Sequence, residues 1–428
     1  MSLIGFSTSI VRSGVAVLLA GLSSIATAAP SPEDESMALA VDYLVASQQP
    51  SGFLRYGFDF LADTAAEPGA MSAVQLTRQA VVAAVLADYY ALARDPRAAA
   101  ATRELLAAFG EHTLSIGKSR LQEAIEWTRL LSMPFGRTRI ESALNRWGLL
   151  YETAGPGKLL SPDANYANAY AGAVALALLT EVRYSQATGD MRYAALRQAW
   201  LEGLIALRIP GDGFRQIPAS IETHPYYDGE PWTALAEYHR AFPQDRRAGD
   251  LLADVDAALM EKYGQHFKID FVHWGLMAAA VRYADTRDWK TLEFIKAQTT
   301  EFLNRQESHP DNTNNCADVE GIVDALGALR GGGEEGGALY ARALRWAQAE
   351  MLEAGTMQIQ PGQTELVFSN ARITAPRLQE LAGSFRSGLY RADTLIDLTG
   401  HCLSALVKLK RQHIELAAGS RAQSANPQ

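Results

Sequence analysis

Four short turns, each with an aspartate between two helix-length apolar patterns, constrain the fold of this chain more than any other feature. The aspartates are Asp95, Asp190, Asp245 and Asp288. An aspartate at a helix N-cap accepts hydrogen bonds from backbone N–H groups that the first helical turn leaves unpaired. Each turn therefore predicts the start of a second helix, and the four together predict a repeated helical hairpin.

The two helices of each hairpin differ in composition. The first is rich in Ala, Leu and Val over most of its surface, whereas the second is amphipathic and carries Arg and Glu. This contrast is typical of an inner helix packed on all sides and an outer helix that faces water. The predicted pairs are 71–94 with 96–115, 164–188 with 191–207, 226–242 with 246–263, 270–285 with 289–306, and 315–329 with 337–354.

The two ends of the chain supply the remaining pair. Residues 33–48 form a predicted helix with no preceding partner, and residues 391–417 form one with no following partner. Pairing them gives six inner and six outer helices and closes the array into an all-α ring. The alternative is an open superhelical solenoid. Residues 117–160 do not fit the repeat and are predicted to be an insertion with some helix.

Three similar strings support the ring. They are Gly-Phe-Leu-Arg at 52–55, Gly-Phe-Arg at 213–215 and Ser-Phe-Arg at 384–386, and each follows an outer helix and precedes an inner one. We expect them to lie at one rim as short β-strand loops, over a cavity lined by the ends of the inner helices. The alternative is chance similarity of short strings.

With these hairpins and rim loops, residues 33–417 resemble the (α/α)6 toroids of the six-hairpin glycosidase superfamily. They are also similar to the toroidal domains of polysaccharide lyases and glucuronyl C5-epimerases. The resemblance rests on hairpin layout and loop style, so it implies a fold and transfers no catalytic residue. Toroids of terpene cyclases and lanthionine synthetase-like proteins stay open. The DxDD-type acid motif of the former is missing, however, and the Cys-His order of the latter is reversed at His401-Cys402.

The N-terminus predicts export. Arg12 precedes the apolar run 15–22, and Ala26-Thr27-Ala28 then gives a small-residue cleavage pattern. We expect a signal peptide over 1–28, a single toroid domain over 29–417, a disordered tail over 418–428, and a periplasmic or secreted location without stable membrane insertion. The net charge is −9 and no Lys/Arg-rich run is present, so we expect no nucleic-acid partner. The oligomeric state stays open.

Cys316 and Cys402 are the two cysteines. In an oxidising compartment they form one disulfide or remain buried free thiols, and the sequence leaves both open. With His401 they would offer zinc three soft ligands. Adjacent residues on a helix point about 100° apart, however, so His401 and Cys402 converge poorly. We therefore predict no metal and no cofactor.

The richest polar cluster spans 222–232 and opens an inner helix. Glu230 lies there among Tyr226, Tyr227 and Trp232, with His224 close by. Aromatic faces stack on sugar rings, and an apolar pocket raises the pKa of a glutamic acid toward the range of a general acid. The alternative role for Glu230 is helix capping, because the helix dipole stabilises acids near the N-terminus.

Two other inner helices begin with groups that exchange protons. Glu320 lies one turn into its helix, where a buried acid needs a partner. His273 is a candidate acid or base, and Trp274 beside it is a candidate stacking ring. The alternative for His273 is a core histidine with satisfied hydrogen bonds.

Arg78 interrupts an apolar helix, so it needs an acidic partner. It would bind the carboxylate of a uronic acid, or else pair internally with Glu230 or Glu320. Further substrate contacts are predicted at the first rim loop and at the starts of two other inner helices: Arg55, Tyr56, Asp59, Asn165 and Asp397.

The start of the last inner helix carries Asp393, Asp397 and His401 at spacings of four residues. On a continuous helix these three side chains share one face. The stripe is either a site of proton transfer or a ladder of ion pairs that closes the ring.

These residues favour an exported enzyme that acts on a polysaccharide or oligosaccharide. The leading hypothesis is a glycoside hydrolase that uses Glu230 and Glu320 as a carboxylate pair across the cavity. The alternative is a polysaccharide lyase or uronate epimerase, in which Arg78 neutralises the substrate carboxylate and His273 or Tyr226 abstracts the C5 proton. The competing class is a non-catalytic toroid that binds a polysaccharide or acts as a scaffold.

Overall fold

The computed structural model describes residues 31–414 and 416, with the exception of 68, 70, 121–142, 145–148, 150, 309–312 and 369–370. The predicted signal peptide and C-terminal tail therefore lie outside the described residues, as does most of the predicted insertion. Within the described ranges, no helix is long and apolar enough to cross a membrane.

The helices of the ring alternate between an outer and an inner layer. In chain order they are α1 (Pro32–Ala46), α2 (Ala73–Ala93), α3 (Pro96–Glu111), α4 (Ala171–Thr188), α5 (Ala194–Leu207), α6 (Pro225–Ala241), α7 (Arg246–Gln265), α8 (Ile269–Thr286), α9 (Trp289–Ser308), α10 (Cys316–Gly331), α11 (Ala338–Met357) and α12 (Ile396–Arg411).

The inner layer closes on itself. Each even-numbered helix packs against the next even-numbered helix, and α12 packs against α2. The odd-numbered helices cover this inner ring, and α1 packs against α12, which joins the two ends of the chain in the sixth hairpin. The predicted ring of six hairpins is thus confirmed, and the open solenoid is wrong.

Burial explains which helix takes which layer. In α4 every side chain from Ala171 to Val182 is buried, as expected for a helix surrounded by others. In α7 the buried side chains recur every three to four residues, at Ala248, Leu252, Val255, Leu259 and Tyr263. One stripe of α7 therefore faces the inner ring, and the remaining surface faces water.

The turn aspartates act as expected in three of the four hairpins. Asp95 and Asp245 are the N-caps of α3 and α7, and Asp288 accepts hydrogen bonds from the first turn of α9. Asp190 instead accepts from the N–H of Arg192 in a turn, so α5 starts three residues later than expected.

Several predicted boundaries are wrong because a strand or a short 3-10 helix takes the place of a predicted helix end. The helix predicted to reach residue 115 stops at Glu111, since β3 (Thr113–Lys118) pairs with β4 (Tyr151–Leu160). The helix predicted over 164–188 starts at Ala171, after a short 3-10 helix at Tyr166–Asn168. The last inner helix starts at Ile396 rather than 391.

A small sheet forms part of the rim. It is antiparallel with the order β2 (Thr64–Ala66), β1 (Gly57–Asp59), β7 (Asp393–Leu395). A second hairpin joins β5 (Glu365–Val367) to β6 (Arg372–Thr374). Because Asp393 belongs to β7, it does not share a helical face with Asp397 and His401, and the predicted three-residue stripe is reduced to those two.

The three predicted rim loops have the same structure. In each one a single residue forms an antiparallel bridge with a residue one or two positions beyond the end of an outer helix: Leu54 with Gln48, Phe214 with Arg208, and Phe385 with Gln358. The backbone N–H of that residue donates to a side chain of the next inner helix, namely Gln79, Asp228 or Thr399. The repeated loop therefore fixes where three inner helices begin.

Candidate functional site

Five of the six inner helices place an ionisable side chain at their fifth or sixth residue. These side chains are Arg78, Glu230, His273, Glu320 and His401. All but Arg78 are buried. In a ring of neighbouring helices, residues at the same helical position lie at the same depth, so the five form one level below the rim. Burying this many ionisable groups is costly unless they are paired or serve a function.

Among the described residues, Glu230 is the member of this level with no ion pair and no hydrogen bond to its Oε2. It is 5% exposed, and its Oε2 is buried without a hydrogen bond. Burial raises the pKa of Glu230 from 4.5 to about 8, so the carboxyl is protonated at neutral pH. The space comes from Gly172 at the start of α4, where an added Cβ would clash with Oε2 of Glu230.

Aromatic rings surround Glu230 toward the rim. The ring of Tyr227 lies 5.3 Å from that of Tyr170, and burial and the Glu230 carboxyl raise the pKa of Tyr227. Tyr226 is 42% exposed, and burial together with nearby carboxylates raises its pKa to about 12. His224 is the N-cap of α6 and stacks on Tyr226, so its role is to hold the start of this helix. Tyr170 was not predicted.

Glu320 is the centre of a buried cluster of ionic contacts. Its Oε1 lies 2.7 Å from Nδ1 of His401, and its Oε2 lies 3.5 Å from Nε2 of His273 and 3.7 Å from Nζ of Lys408. Burial would raise the pKa of Glu320, but these cations and imidazoles hold it well below 4.5. Lys408 also bonds Asp324 at 2.7 Å.

The two imidazoles around Glu320 differ in charge. Burial lowers the pKa of His273 to about 4, so this ring is neutral. Burial also opposes the charged form of His401, but the Glu320 carboxylate outweighs it and raises the pKa of His401 above 6.5. The ring centroids are 5.1 Å apart. The cluster therefore combines an ionised carboxylate, a neutral imidazole and an imidazole that is readily protonated.

Asp397 lies one turn closer to the rim than His401. Its Oδ2 accepts from Nε of Arg78 at 3.1 Å, while its Oδ1 is buried without a hydrogen bond. Arg78 also donates from Nη1 to the hydroxyl of Tyr56. The predicted internal partner of Arg78, Glu230 or Glu320, is thus wrong, because the first turn of α12 brings Asp397 beside α2.

The two predicted tryptophans have different positions. Trp274 is buried with its ring 4.4 Å from that of His273, and its predicted stacking on a sugar ring stays a prediction. Trp232 is fully buried, stacks on Phe271, and donates from Nε1 to Asp256 of the outer helix α7 at 2.7 Å. The prediction that Trp232 contacts substrate is wrong, because its position on α6 points it outward between the layers.

The remaining predicted contacts are at the rim. Asn165 is exposed and caps the 3-10 helix, so its side-chain oxygen is already engaged. Arg55 pairs with Glu67 at 3.1 Å. Asp59 accepts backbone hydrogen bonds from Leu61 and Ala62 in a turn. None of these three belongs to the buried level that carries Glu230.

The zinc set of Cys316, His401 and Cys402 is excluded because the two cysteines form a disulfide between α10 and α12. His273, Glu320 and His401 offer ligand atoms within 4.8 Å of one another. The ammonium group of Lys408 already neutralises Glu320 there, so the contacts fit charge-assisted hydrogen bonds better than a metal centre. Lys408 was not predicted, although its seven-residue spacing from His401 puts both on one helical face.

No protein-family profile matches the chain, and no curated protein matches its sequence. Solved structures do match in fold. An endoglucanase from the termite Nasutitermes takasagoensis aligns with a TM-score of 0.54 at 10% identity over 90% of this chain and 100% of that one. A glycoside hydrolase family 76 mannosidase from Bacteroides thetaiotaomicron gives 0.53 at 11% identity over 90% and 100%. An unsaturated glucuronyl hydrolase specific for heparin gives 0.51 at 11% identity over 89% and 98%. The chain therefore has the (α/α)6 toroid fold of the six-hairpin glycosidases.

Proposed function

We propose that the protein is a carbohydrate-active enzyme that hydrolyses glycosidic bonds, with Glu230 as the general acid. The observation that carries the proposal is the buried, unpaired and protonated Glu230 at the level where five inner helices direct ionisable groups. A carboxyl that stays protonated near neutral pH is what protonation of a leaving glycosidic oxygen requires. The aromatic rings at the rim and the glycosidase fold agree with a sugar substrate.

The second carboxylate is better assigned to Asp397 than to Glu320. Both oxygens of Glu320 face His401, His273 or Lys408, so its charge is used within the protein. Asp397 keeps one oxygen without a partner, and α12 lies across the ring from α6. Asp397 would then act as the ionised base or nucleophile, while Glu320 orients His401.

A second candidate is proton transfer at the Glu320 cluster, as in a uronate lyase or epimerase. The observation in its favour is the pair of imidazoles that share one carboxylate. Both reactions need a group to neutralise the substrate carboxylate. Arg78 is already engaged by Asp397 and Tyr56, so hydrolysis is the first choice.

We also propose that the protein acts outside the cytoplasm, as the signal-peptide pattern and the disulfide suggest. Expression with the native N-terminus in a bacterial host, followed by N-terminal sequencing of the periplasmic protein, tests this. A mature chain that begins at Ala29 is expected, and an uncleaved cytoplasmic chain would contradict export.

The test of function is a screen of the purified protein against neutral and acidic polysaccharides. New reducing ends report hydrolysis, and absorbance near 235 nm reports the unsaturated uronate that a lyase makes. The variants are Glu230→Gln, Asp397→Asn and Glu320→Gln, with exposed Asp250→Asn as the matched control.

Hydrolysis predicts reducing ends without absorbance, a loss of at least about a hundredfold in kcat for Glu230→Gln, and no change for Asp250→Asn. Absorbance near 235 nm that is lost in Glu320→Gln would move the assignment to the lyase. Turnover that survives in Glu230→Gln would refute the role of Glu230. Binding without turnover would favour the non-catalytic toroid.

A further inference from the structure

A groove of about 610 Å3 crosses the rim beside the small sheet. Its walls come from β1, β2, β7 and the residues next to them. The polar and aromatic groups that matter to the argument are Tyr56, Asp59, Tyr390, Arg391 and Asp393. The groove is therefore built from segments that are far apart in sequence but joined by the sheet.

The groove is linked to the buried level of the site through Tyr56 and Arg78. The ring of Tyr56 lines the groove, its hydroxyl accepts from Arg78, and Arg78 contacts Asp397. Strand β7 also lines the groove and continues directly into α12, so Asp397 lies two residues beyond Leu395 of the groove wall. A chain that occupied the groove would thus lie next to the segment that carries the proposed base.

Two carboxylates face each other across the sheet in the groove. Asp59 and Asp393 are directly opposite in the β1–β7 register. Like charges at such positions destabilise a sheet. Asp59 accepts only backbone N–H groups and Asp393 accepts from the hydroxyl of Ser387, and within the described residues neither forms a salt bridge. An arrangement that costs stability, and that no salt bridge among the described residues relieves, favours a ligand rich in hydrogen-bond donors.

The groove also exposes apolar surface. Tyr390 is 60% exposed and Leu61 is 72% exposed, although both belong to a side-chain class that folding usually buries. An exposed tyrosine ring next to carboxylates combines a flat stacking surface with acceptors, which suits a sugar ring with its apolar face and its hydroxyl groups.

The charges of the residues that line the groove favour a neutral sugar over an acidic one. Arg391 is the single cation among the described residues that line the groove, against Asp59 and Asp393. Asp270 and Asp318 also lie near Tyr226, where the guanidinium of Arg78 opposes their charge. A polyuronate would be repelled by these acids, whereas a neutral glycan would donate hydroxyl hydrogen bonds to them.

We propose that this groove is a subsite that binds several units of a neutral oligosaccharide, with a sugar ring on Tyr390 and sugar hydroxyls on Asp59 and Asp393. The proposal rests on the proposed glycosidase function, and it names the substrate class and the direction from which the glycan reaches Asp397. In this assignment Asp59, Asp393 and Tyr390 set affinity and chain-length preference without taking part in bond cleavage.

Calorimetry on the Glu230→Gln background tests the subsite without turnover. The probes are neutral hexose oligosaccharides of two to six units and oligouronates of the same lengths. Tyr390→Ala, Asp59→Asn and Asp393→Asn are compared with Trp289→Ala, which removes an equally exposed ring 67% open to solvent on the outer helix α9, and with Asp250→Asn. Loss of one stacking ring or hydrogen-bond set should weaken hexasaccharide binding about tenfold.

We expect the protein to bind neutral oligomers more tightly than acidic ones. The three groove variants should bind long neutral oligomers more weakly, but should bind disaccharides with unchanged affinity. Equal affinity in the groove variants and the controls, or a preference for oligouronates, would overturn the subsite. Failure of the glycosidase assignment would give a different result. Neutral oligomers would still bind in a way that depends on Tyr390, but the protein with Glu230 intact would cleave no polysaccharide.

Discussion

Glu230 should make the folded protein less stable as the pH rises, and Glu230→Gln should remove that dependence. The folded state holds the Glu230 proton up to a pKa of about 8, whereas an unfolded chain releases it near 4.5. The stabilising contribution is therefore complete below pH 4.5 and is lost as the pH rises toward 8. Each pKa unit corresponds to about 1.4 kcal/mol, so the loss is about 3 kcal/mol at pH 7 and about 5 kcal/mol above pH 8.

Urea unfolding followed by tryptophan fluorescence measures this effect at intervals from pH 4 to pH 9. The informative quantity is the difference in unfolding free energy between Glu230→Gln and the native protein, because other titrating groups cancel in it. That difference should move in favour of the variant by about 5 kcal/mol across the range.

Glu181→Gln is the matched control. Glu181 is as buried as Glu230 and lies on an inner helix, but it bonds Arg197 at 2.9 Å. Removing its charge leaves the guanidinium of Arg197 buried without a counter-charge, which should cost about 3–5 kcal/mol at pH 7. Parallel stability curves for Glu230→Gln and the native protein would refute the reasoning, because they would mean that Glu230 is ionised or solvated in the fold.

Three further perturbations test the architecture of the site. Gly172→Ala should lower the unfolding free energy by about 1–3 kcal/mol because its Cβ meets Glu230, and the loss should shrink when Glu230→Ala is added; an unchanged loss in the double variant would contradict the contact. Cys402→Ser opens a disulfide that closes 86 residues and should cost about 4–5 kcal/mol in urea unfolding, with a native-like stability counting against the bridge. Lys408→Met should raise the pKa of His273 above about 4 in an imidazole NMR titration, since the ammonium charge of Lys408 helps to lower that pKa. An unchanged pKa of His273 would mean that Lys408 does not act on the cluster.

The ring was predictable from sequence because it depends on repeated local signals. Aspartates recur in four of the six hairpin turns, and the contrast between inner and outer helix compositions recurs around the ring, and each signal acts within a few residues. The errors fall where pairing between distant segments decides the structure. Asp393 carries a helical spacing relative to Asp397, but strand β1, more than 300 residues away in sequence, draws it into a sheet. No sequence pattern near Asp393 indicates that it pairs with strand β1.

The sequence indicated which residues are candidates for the site better than it indicated which of them contact one another. Glu230, Glu320 and His273 were candidates because they lie near the starts of inner helices, and Arg78 because it interrupts an apolar helix. Their partners depend on which helices are neighbours in the ring, so Arg78 joins Asp397 instead of a glutamate, and Lys408 completes the Glu320 cluster. Trp232 shows the same limit, since it lies only two residues from Glu230 on α6 but its side chain contacts the outer helix α7.

The contrast between the two central glutamates carries the functional argument. Glu320 stays ionised in the interior because His401 and Lys408 compensate its charge and His273 lies beside it, as folding requires of a structural acid. Glu230 lies at the same depth with no compensation, and Gly172 leaves the space that lets it stay there. A glutamine at that position would fill the same volume without the proton affinity. An acid that costs stability above pH 4.5 is therefore what the proposed general-acid role of Glu230 requires.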